Sequence, residues 1–142
     1  MEKLYSIIYA SSSKKILTEN ELEIFLQEIR NLNLMHQITG LLLYSEGNFI
    51  QLIEGEKKII QLVYSKIKKD TRHSHVTTLV KTPITERVFP DWTMGFRKIS
   101  DENASSIPGY NDFISNRKIK NSLDNKPKEI QVLFKTFARI NQ

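Results

Sequence analysis

Along the first hundred residues the spacing of apolar side chains alternates between a period near two and a period near 3.6. The order of those stretches constrains the fold more than any other feature. Residues 3–9 (Lys-Leu-Tyr-Ser-Ile-Ile-Tyr) are short, β-branched and aromatic, and Ala-Ser-Ser-Ser follows them, which predicts a strand ending in a polar loop. Thr18-Glu-Asn-Glu21 then has the form of a capping box, and Leu22, Phe25, Leu26 and Ile29 fall at helical spacing, so an amphipathic helix is predicted over 19–32. Ile38–Tyr44 and Asn48–Ile53 are apolar runs separated by Ser45-Glu46-Gly47, a hairpin in which the glycine supplies a positive φ. Residues 56–70 place Ile59, Ile60, Val63, Tyr64 and Ile67 on one face, a second helix. Val76–Thr82 reads as a strand with a ragged end at Pro83, and residues 92–98 read as the last strand.

The resulting order, βαββαββ, predicts an α+β ferredoxin-like sandwich: a mostly antiparallel sheet with both helices on one face. Residues 1–100 make one domain, and residues 101–142 are expected to add about two helices around Pro108-Gly109 and Pro127. The second of these carries Ile130, Leu133, Phe134 and Phe137, apolar cover for the open sheet face or for a partner. The chain lacks cysteine, which excludes disulfides, thiolate metal sites, thiol nucleophiles and cysteine adducts. No apolar run approaches the roughly 18 residues of a membrane helix, and the N-terminus runs straight into a strand pattern, so a cytoplasmic protein without a secretory leader is expected. A net charge of +5 permits an anionic partner without requiring one.

Polar residues that interrupt the burial pattern point to function. Asn33 continues the apolar stripe of Leu26 and Ile29. Gln51 shares its side of a strand with Phe49 and Ile53. Tyr9 shares a face with Tyr5 and Ile7, and Lys66 and Asp70 stand one helical turn apart beside Val63 and Ile67. With both helices on one sheet face, Asn33, Lys66 and Asp70 surround the inter-helix groove and Tyr9 and Gln51 form its floor. Singly, each has a plain structural reading: Asn33 as a helix C-cap, Gln51 as a solvent-facing strand residue, Tyr9 as a core aromatic, Lys66 and Asp70 as an exposed ion pair. Together, two amides, a phenol and a charge pair in one groove suit a planar polar heterocycle.

With these residues in view the chain resembles the BLUF family, blue-light sensors using FAD. The resemblance rests on Ser6-Ile-Ile-Tyr9-Ala-Ser, Asn33, Ile38-Thr-Gly-Leu-Leu-Leu-Tyr44, Gly47-Asn-Phe-Ile-Gln51-Leu-Ile-Glu54-Gly55, Asp70-Thr-Arg-His73-Ser, Arg87-Val-Phe89 and Trp92-Thr-Met94-Gly-Phe, in order through residues 3–98. It implies a flavin held non-covalently between the helices, with Tyr9 as electron and proton donor and Gln51 between that tyrosine and the flavin edge. It also implies that Asn33 bonds the N3/O4 side, that Asp70 and His73 lie near the pyrimidine end, and that Trp92 and Met94 respond to light. Phe25, Phe49 and Ile67 complete the expected ring site. Lys66 stands where an arginine is frequent, which keeps the charge without the planar fork, and Leu32 replaces a position often polar. Lys66 is therefore joined by Arg72 and Arg30 as alternative phosphate partners, Arg30 being read rather as a surface residue, and FMN or riboflavin remain open beside FAD. On this resemblance residues 1–100 are the sensor and residues 101–142 a capping or output extension. No enzyme is expected on the chain, so output would pass to a separate downstream signalling protein or a homo-oligomer, with no role for membrane or nucleic acid.

Two further classes share the element order. An RNA-binding module of the RRM type also has a βαββαβ core, and Tyr5, Tyr9 and Phe49 would then stack bases. A small hydrolase of acylphosphatase-like shape would need a glycine-rich first loop, which Ala10-Ser-Ser-Ser-Lys-Lys15 does not provide.

Overall fold

The computed structural model describes residues 3–45 and 47–98, so the helices expected over 101–142 lie outside the described residues. The elements are β1 (Leu4–Ser13), α1 (Glu19–His36), β2 (Thr39–Ser45), β3 (Asn48–Glu56), α2 (Lys57–Lys69), β4 (His73–Ile84) and β5 (Gly95–Lys98). They form one five-stranded sheet in the order β4-β1-β3-β2-β5. Neighbours pair antiparallel except β2 with β5, which run parallel. This is the α+β arrangement expected from the sequence, with the fifth strand added at one margin.

Alternation divides the strand residues between two faces. One face carries Tyr5, Ile7, Tyr9, Leu42, Tyr44, Phe49 and Ile53, and they pack under Leu22 and Leu26 of α1 and Ile60 and Tyr64 of α2 in a single cluster. Ile8, Leu41, Leu43, Ile50 and Leu52 project from the other face and are buried as well. On that second face Phe89 and Trp92, from the connection between β4 and β5, stack at 5.3 Å.

Local chemistry sets the element ends. Thr18 caps α1 by accepting from the Glu21 amide at 3.1 Å while Glu21 accepts from the Thr18 amide at 3.2 Å, the capping box read from the sequence. Gly47 turns the β2–β3 hairpin at φ +85°. Helix α1 runs four residues past its expected end. It stops at Gln37, which adopts φ 55° and sends its amide back to the Asn33 and Leu34 carbonyls. Asn33 is thus an interior residue of the helix. Strand β1 continues through the serines because Ser13 N–H bonds Gly47 O at 2.7 Å and Ser12 Oγ bonds Asn48 Oδ1 at 3.2 Å. Strand β4 runs through Pro83, which a strand at the sheet margin tolerates because no outer neighbour needs the missing N–H. Strand β5 begins at Gly95 and not at Trp92, since residues 90–94 form a bend anchored by Trp92 N–H on Phe89 O at 3.2 Å and Gly40 N–H on Trp92 O at 3.0 Å.

Candidate functional site

Between α1 and α2, over the inner sheet face, lies a cleft of about 530 Å³, a volume that suits a small-molecule ligand. Its lining includes Tyr9, Phe25, Asn33, Phe49, Gln51, Lys66, Ile67, Asp70, Arg72 and His73, all expected site residues, together with Ile24, Ile29, Ile53 and Val63. Its mouth carries Lys14, Lys15, Glu21 and Glu28. Register explains how both loops reach the cleft: Ser13 faces His73, so the β1–α1 and α2–β4 connections leave the sheet at the same end.

The floor is polar and ordered. Tyr9 and Gln51 are direct partners across β1 and β3, and the Tyr9 hydroxyl donates to Gln51 Oε1. The Gln51 Nε2 donates to Met94 Sδ at 3.4 Å. All three residues are buried. Burial pushes the Tyr9 phenol well above its ordinary value, and the neighbouring Tyr64 and the Asp70 charge act the same way, so Tyr9 is a neutral donor. The Tyr64 ring lies 5.4 Å from that of Tyr9, and the Tyr64 hydroxyl shares a 2.6 Å bond with Thr78 Oγ1. Sequence reading had Tyr64 as packing alone; its place beside Tyr9 follows from the packing of α2 over β1 and β3, with Thr78 of β4 within reach of its hydroxyl.

Asn33 is 4% exposed. Its Nδ2 donates to Thr93 O at 2.7 Å, and among the described residues no group meets its Oδ1. A buried acceptor without a donor is costly, and here it lies at a cleft wall where a guest can supply the donor. One turn earlier, Arg30 donates from Nε to Met94 O at 2.9 Å. The expectation that Arg30 is a surface residue is therefore corrected: it is half-buried and holds the chain beside Gln51. Its spacing of three from Asn33 was the signal that both serve one side of the helix.

At the other end Arg72 bridges the two helices. Its guanidinium bonds Glu28 at 2.6 Å and Asp70 at 2.7 Å, and lies 4.9 Å from the Phe25 ring centre. Hydrogen bonds from Arg72 hold the Asp70 carboxyl below the usual range. Asp70 thus pairs with Arg72 and not with Lys66. Both nitrogens of His73 are engaged, Nε2 with Ile67 O at 2.6 Å and Nδ1 with Ser11 Oγ at 3.0 Å. The bond to Ile67 O requires Nε2–H, while Nδ1 shares its bond with the serine hydroxyl, which can serve as donor or acceptor. His73 therefore offers the cleft a ring and no free nitrogen.

The pair Trp92 and Met94 is split. Met94 reaches Gln51, whereas Trp92 lies on the opposite sheet face, where a Cβ added at Gly95 would come within 2.3 Å of its ring and 3.1 Å of Leu41 Cδ1. The sequence left open which of the two faces the site, and the structure brings Met94 there. Two residues along a bent segment put the side chains on either side of the sheet, and the bend came from bonds that the sequence pattern does not display. The aromatic platform of the RRM reading is also absent: Tyr5, Tyr9 and Phe49 face the helices and are buried, so none can stack a base.

Flavin is a fit test these residues pass. Its ring offers an imide N–H, which matches Asn33 Oδ1, and acceptors, which match an amide N–H of Gln51. Phe25, Phe49 and Ile67 give apolar walls, and Lys14, Lys15, Lys66 and Arg72 give cations near the mouth for phosphates.

Fold and cleft together define an α+β domain whose inter-helix cleft has the lining for a flat polar heterocycle. The chain belongs to the BLUF family, the sensors of blue light using FAD, whose family model matches residues 4–95. Among curated relatives, the photoactivated adenylate cyclase subunit beta of Euglena gracilis is 31% identical over 113 residues, covering 79% of this chain and 13% of that protein. Its counterpart in Euglena longa is 32% identical over the same length. The chain thus spans about an eighth of these relatives' length. Among solved structures, the dark state of the BLUF protein BlrB superposes with a TM-score of 0.75 at 27% identity, covering 99% of this chain and 98% of that one. A bacterial light-regulated adenylyl cyclase gives a TM-score of 0.66 at 28% identity, covering 92% of this chain and 35% of that one. The match to the cyclases is to their sensor portion. No helix among the described residues is long and apolar enough to cross a membrane.

Proposed function

We propose that the protein is a blue-light photoreceptor that holds FAD non-covalently between α1 and α2 and answers light by rearranging the hydrogen bonds of Gln51. The observation that carries this reading is the buried series Tyr9–Gln51–Met94, which runs from the floor of the cleft to the bend before β5. FAD, when bound, supplies the blue absorption and, once excited, a strong electron acceptor. Asn33 and Gln51 would hold the polar edge of the ring, Phe25, Phe49 and Ile67 its flat sides, and Asp70 and His73 would border the pyrimidine end. Lys66 and Arg72, with Lys14 and Lys15, would meet the phosphates. FMN and riboflavin share the ring and would meet the same floor; FAD is the family's cofactor. The lack of cysteine agrees with a non-covalent guest.

Tyr9 is the electron and proton source. Its phenolic proton already points along the bond to Gln51 Oε1. An amide that accepts a proton at oxygen and releases one from nitrogen changes tautomer, and an amide that swings by half a turn exchanges its NH₂ and C=O ends. Rotation withdraws the Nε2 donor from Met94 Sδ, and tautomerisation leaves one N–H where there were two, so each changes the donors that Met94 meets. Met94 then resettles, and with it the bend that enters β5. Trp92, joined to β2 through Gly40 N–H, would follow on the other face.

We assign residues 1–100 to sensing and residues 101–142 to output by association, with a separate signalling protein or a second copy, and no catalysis by the chain itself. Relatives in which the same domain accompanies a cyclase support coupling to an effector. One measurement tests the core of this: the absorption spectrum of purified protein before and after blue light. Flavin bands that shift reversibly to the red support the reading, and a colourless protein that binds no added flavin rejects it. Gln51→Leu should retain flavin and lose the shift, and an intact shift in that variant would remove the amide relay.

A further inference from the structure

On the face of the sheet away from the cleft is a buried carboxylate that the reading above leaves without a task. Glu54 stands three residues after Gln51 on β3, so its side chain projects to the opposite side, and it is completely buried. Its Oε1 accepts from Val88 N–H at 2.8 Å, and its Oε2 accepts from Phe89 N–H at 2.8 Å and Thr39 Oγ1–H at 2.9 Å. Arg87 closes the arrangement, with Nη1 donating to Thr39 Oγ1 at 2.8 Å and Glu54 O at 3.1 Å, and Nη2 donating to Gln37 O at 2.9 Å. Loss of water is what pushes this carboxyl above its ordinary value, against the bonds from Val88, Phe89 and Thr39 and the Arg87 charge.

A buried acid is poor value for stability alone, since apolar residues of the same volume often serve as well. What this one holds is specific. Val88 and Phe89 lie in the connection from β4 to β5, the Phe89 carbonyl receives Trp92 N–H, the Trp92 carbonyl receives Gly40 N–H, and Met94 comes two residues later. On the cleft side Arg30 and Asn33 hold the carbonyls of Met94 and Thr93. The segment that presents Met94 to Gln51 is thus gripped from both faces of the sheet, and Glu54 is the grip on the far side.

We propose that Glu54 is a positioning residue for the photoresponse: by fixing the Val88 and Phe89 amides together with the Thr39 hydroxyl, it sets where Met94 meets Gln51. The proposal rests on the photoreceptor reading for its consequence, but its geometry can be tested separately. The chain has three methionines, so the Met94 methyl signal in a ¹³C-methyl-methionine NMR spectrum is assigned by its loss in Met94→Leu.

The comparison uses the full chain with FAD, as wild type, Glu54→Gln, Thr39→Val and Thr39→Ser. Glu54→Gln keeps the volume but points an NH₂ at a donor. Expected are unchanged flavin content, since Glu54 does not line the cleft, and a displaced Met94 methyl signal in the dark. Dark recovery should change by about tenfold, the factor produced by about 1.4 kcal/mol. Thr39→Val should move both quantities in the same direction, and Thr39→Ser, which restores the hydroxyl, should return them to wild type. The idea is overturned if Glu54→Gln and Thr39→Val leave the Met94 signal in place and recovery within about twofold, even where the melting temperature falls. It is equally overturned if Thr39→Ser behaves like Thr39→Val. Should Glu54→Gln fail to fold, the Thr39 pair decides. If wild type shows no light-induced shift, the photoreceptor reading fails, and the dark Met94 signal still decides whether Glu54 sets its position.

Discussion

Two uncharged side chains on neighbouring strands, Tyr9 and Gln51, make the polar floor of the cleft with Met94 behind them, and their value lies in what each can exchange. Tyr9 is a buried phenol whose proton has one acceptor. Replacing it by phenylalanine leaves the shape and removes the donor, so Tyr9→Phe should bind flavin and show no reversible red shift; a normal photocycle would take the donor role from Tyr9. The same burial has a pH signature. The folded-state phenol ionises above its ordinary value near 10, so above that pH the unfolded chain binds fewer protons and stability must fall as pH rises. Melting curves from about pH 9 to 11.5 should therefore show a steeper alkaline loss for wild type than for Tyr9→Phe, and parallel losses would mean the phenol is not held neutral. Asn33 acts through two atoms. Asn33→Ala strips Thr93 O of its donor and the guest of its acceptor, so flavin retention should weaken by about 1–3 kcal/mol, read by equilibrium titration. Unchanged affinity would confine Asn33 to bracing Thr93.

At the level of elements, α1 is the most demanding piece, since it supplies a wall of the cleft and, through Arg30 and Asn33, the brace for residues 93–94. Its start is fixed by the capping box. Thr18→Ala should cost about 1 kcal/mol and lower the melting temperature by a few degrees, with the red shift retained; a change in the shift would show that the helix start is coupled to the floor. The capping box, the strand pairings and the inter-helix cleft were legible because alternation and helical spacing report which side of an element is buried. The helix end was not legible. Asparagine is a common end residue, and nothing local announces that Asn33 bonds a carbonyl sixty residues away. The serines of β1 read as loop because their strand character comes from partners on β3, and residues 92–94 read as strand because a bend held by Phe89, Gly40 and Asn33 leaves an apolar pattern intact. Trp92 and Met94 fell on different faces for that reason.

For the molecule as a whole, the sheet separates a cleft side from a far side, and the segment from Val88 to Met94 touches both. A signal that begins at Gln51 therefore has a physical route across the sheet, and an output made by association should follow it. Light scattering of the full chain in darkness and under blue light should show a change in mass, alone or with an added effector; identical mass in all conditions would set aside output by association. The last strand has one further consequence. With four residues and, among the described residues, a single neighbour and a place at the sheet margin, β5 behaves like the final tooth of a zip: it can slip without opening the rows behind it. Polypeptide continuing from it is tethered to the methionine one residue upstream of its start. Such an exit is a natural splice point, where one detector can be coupled to many different machines while its own interior stays unchanged.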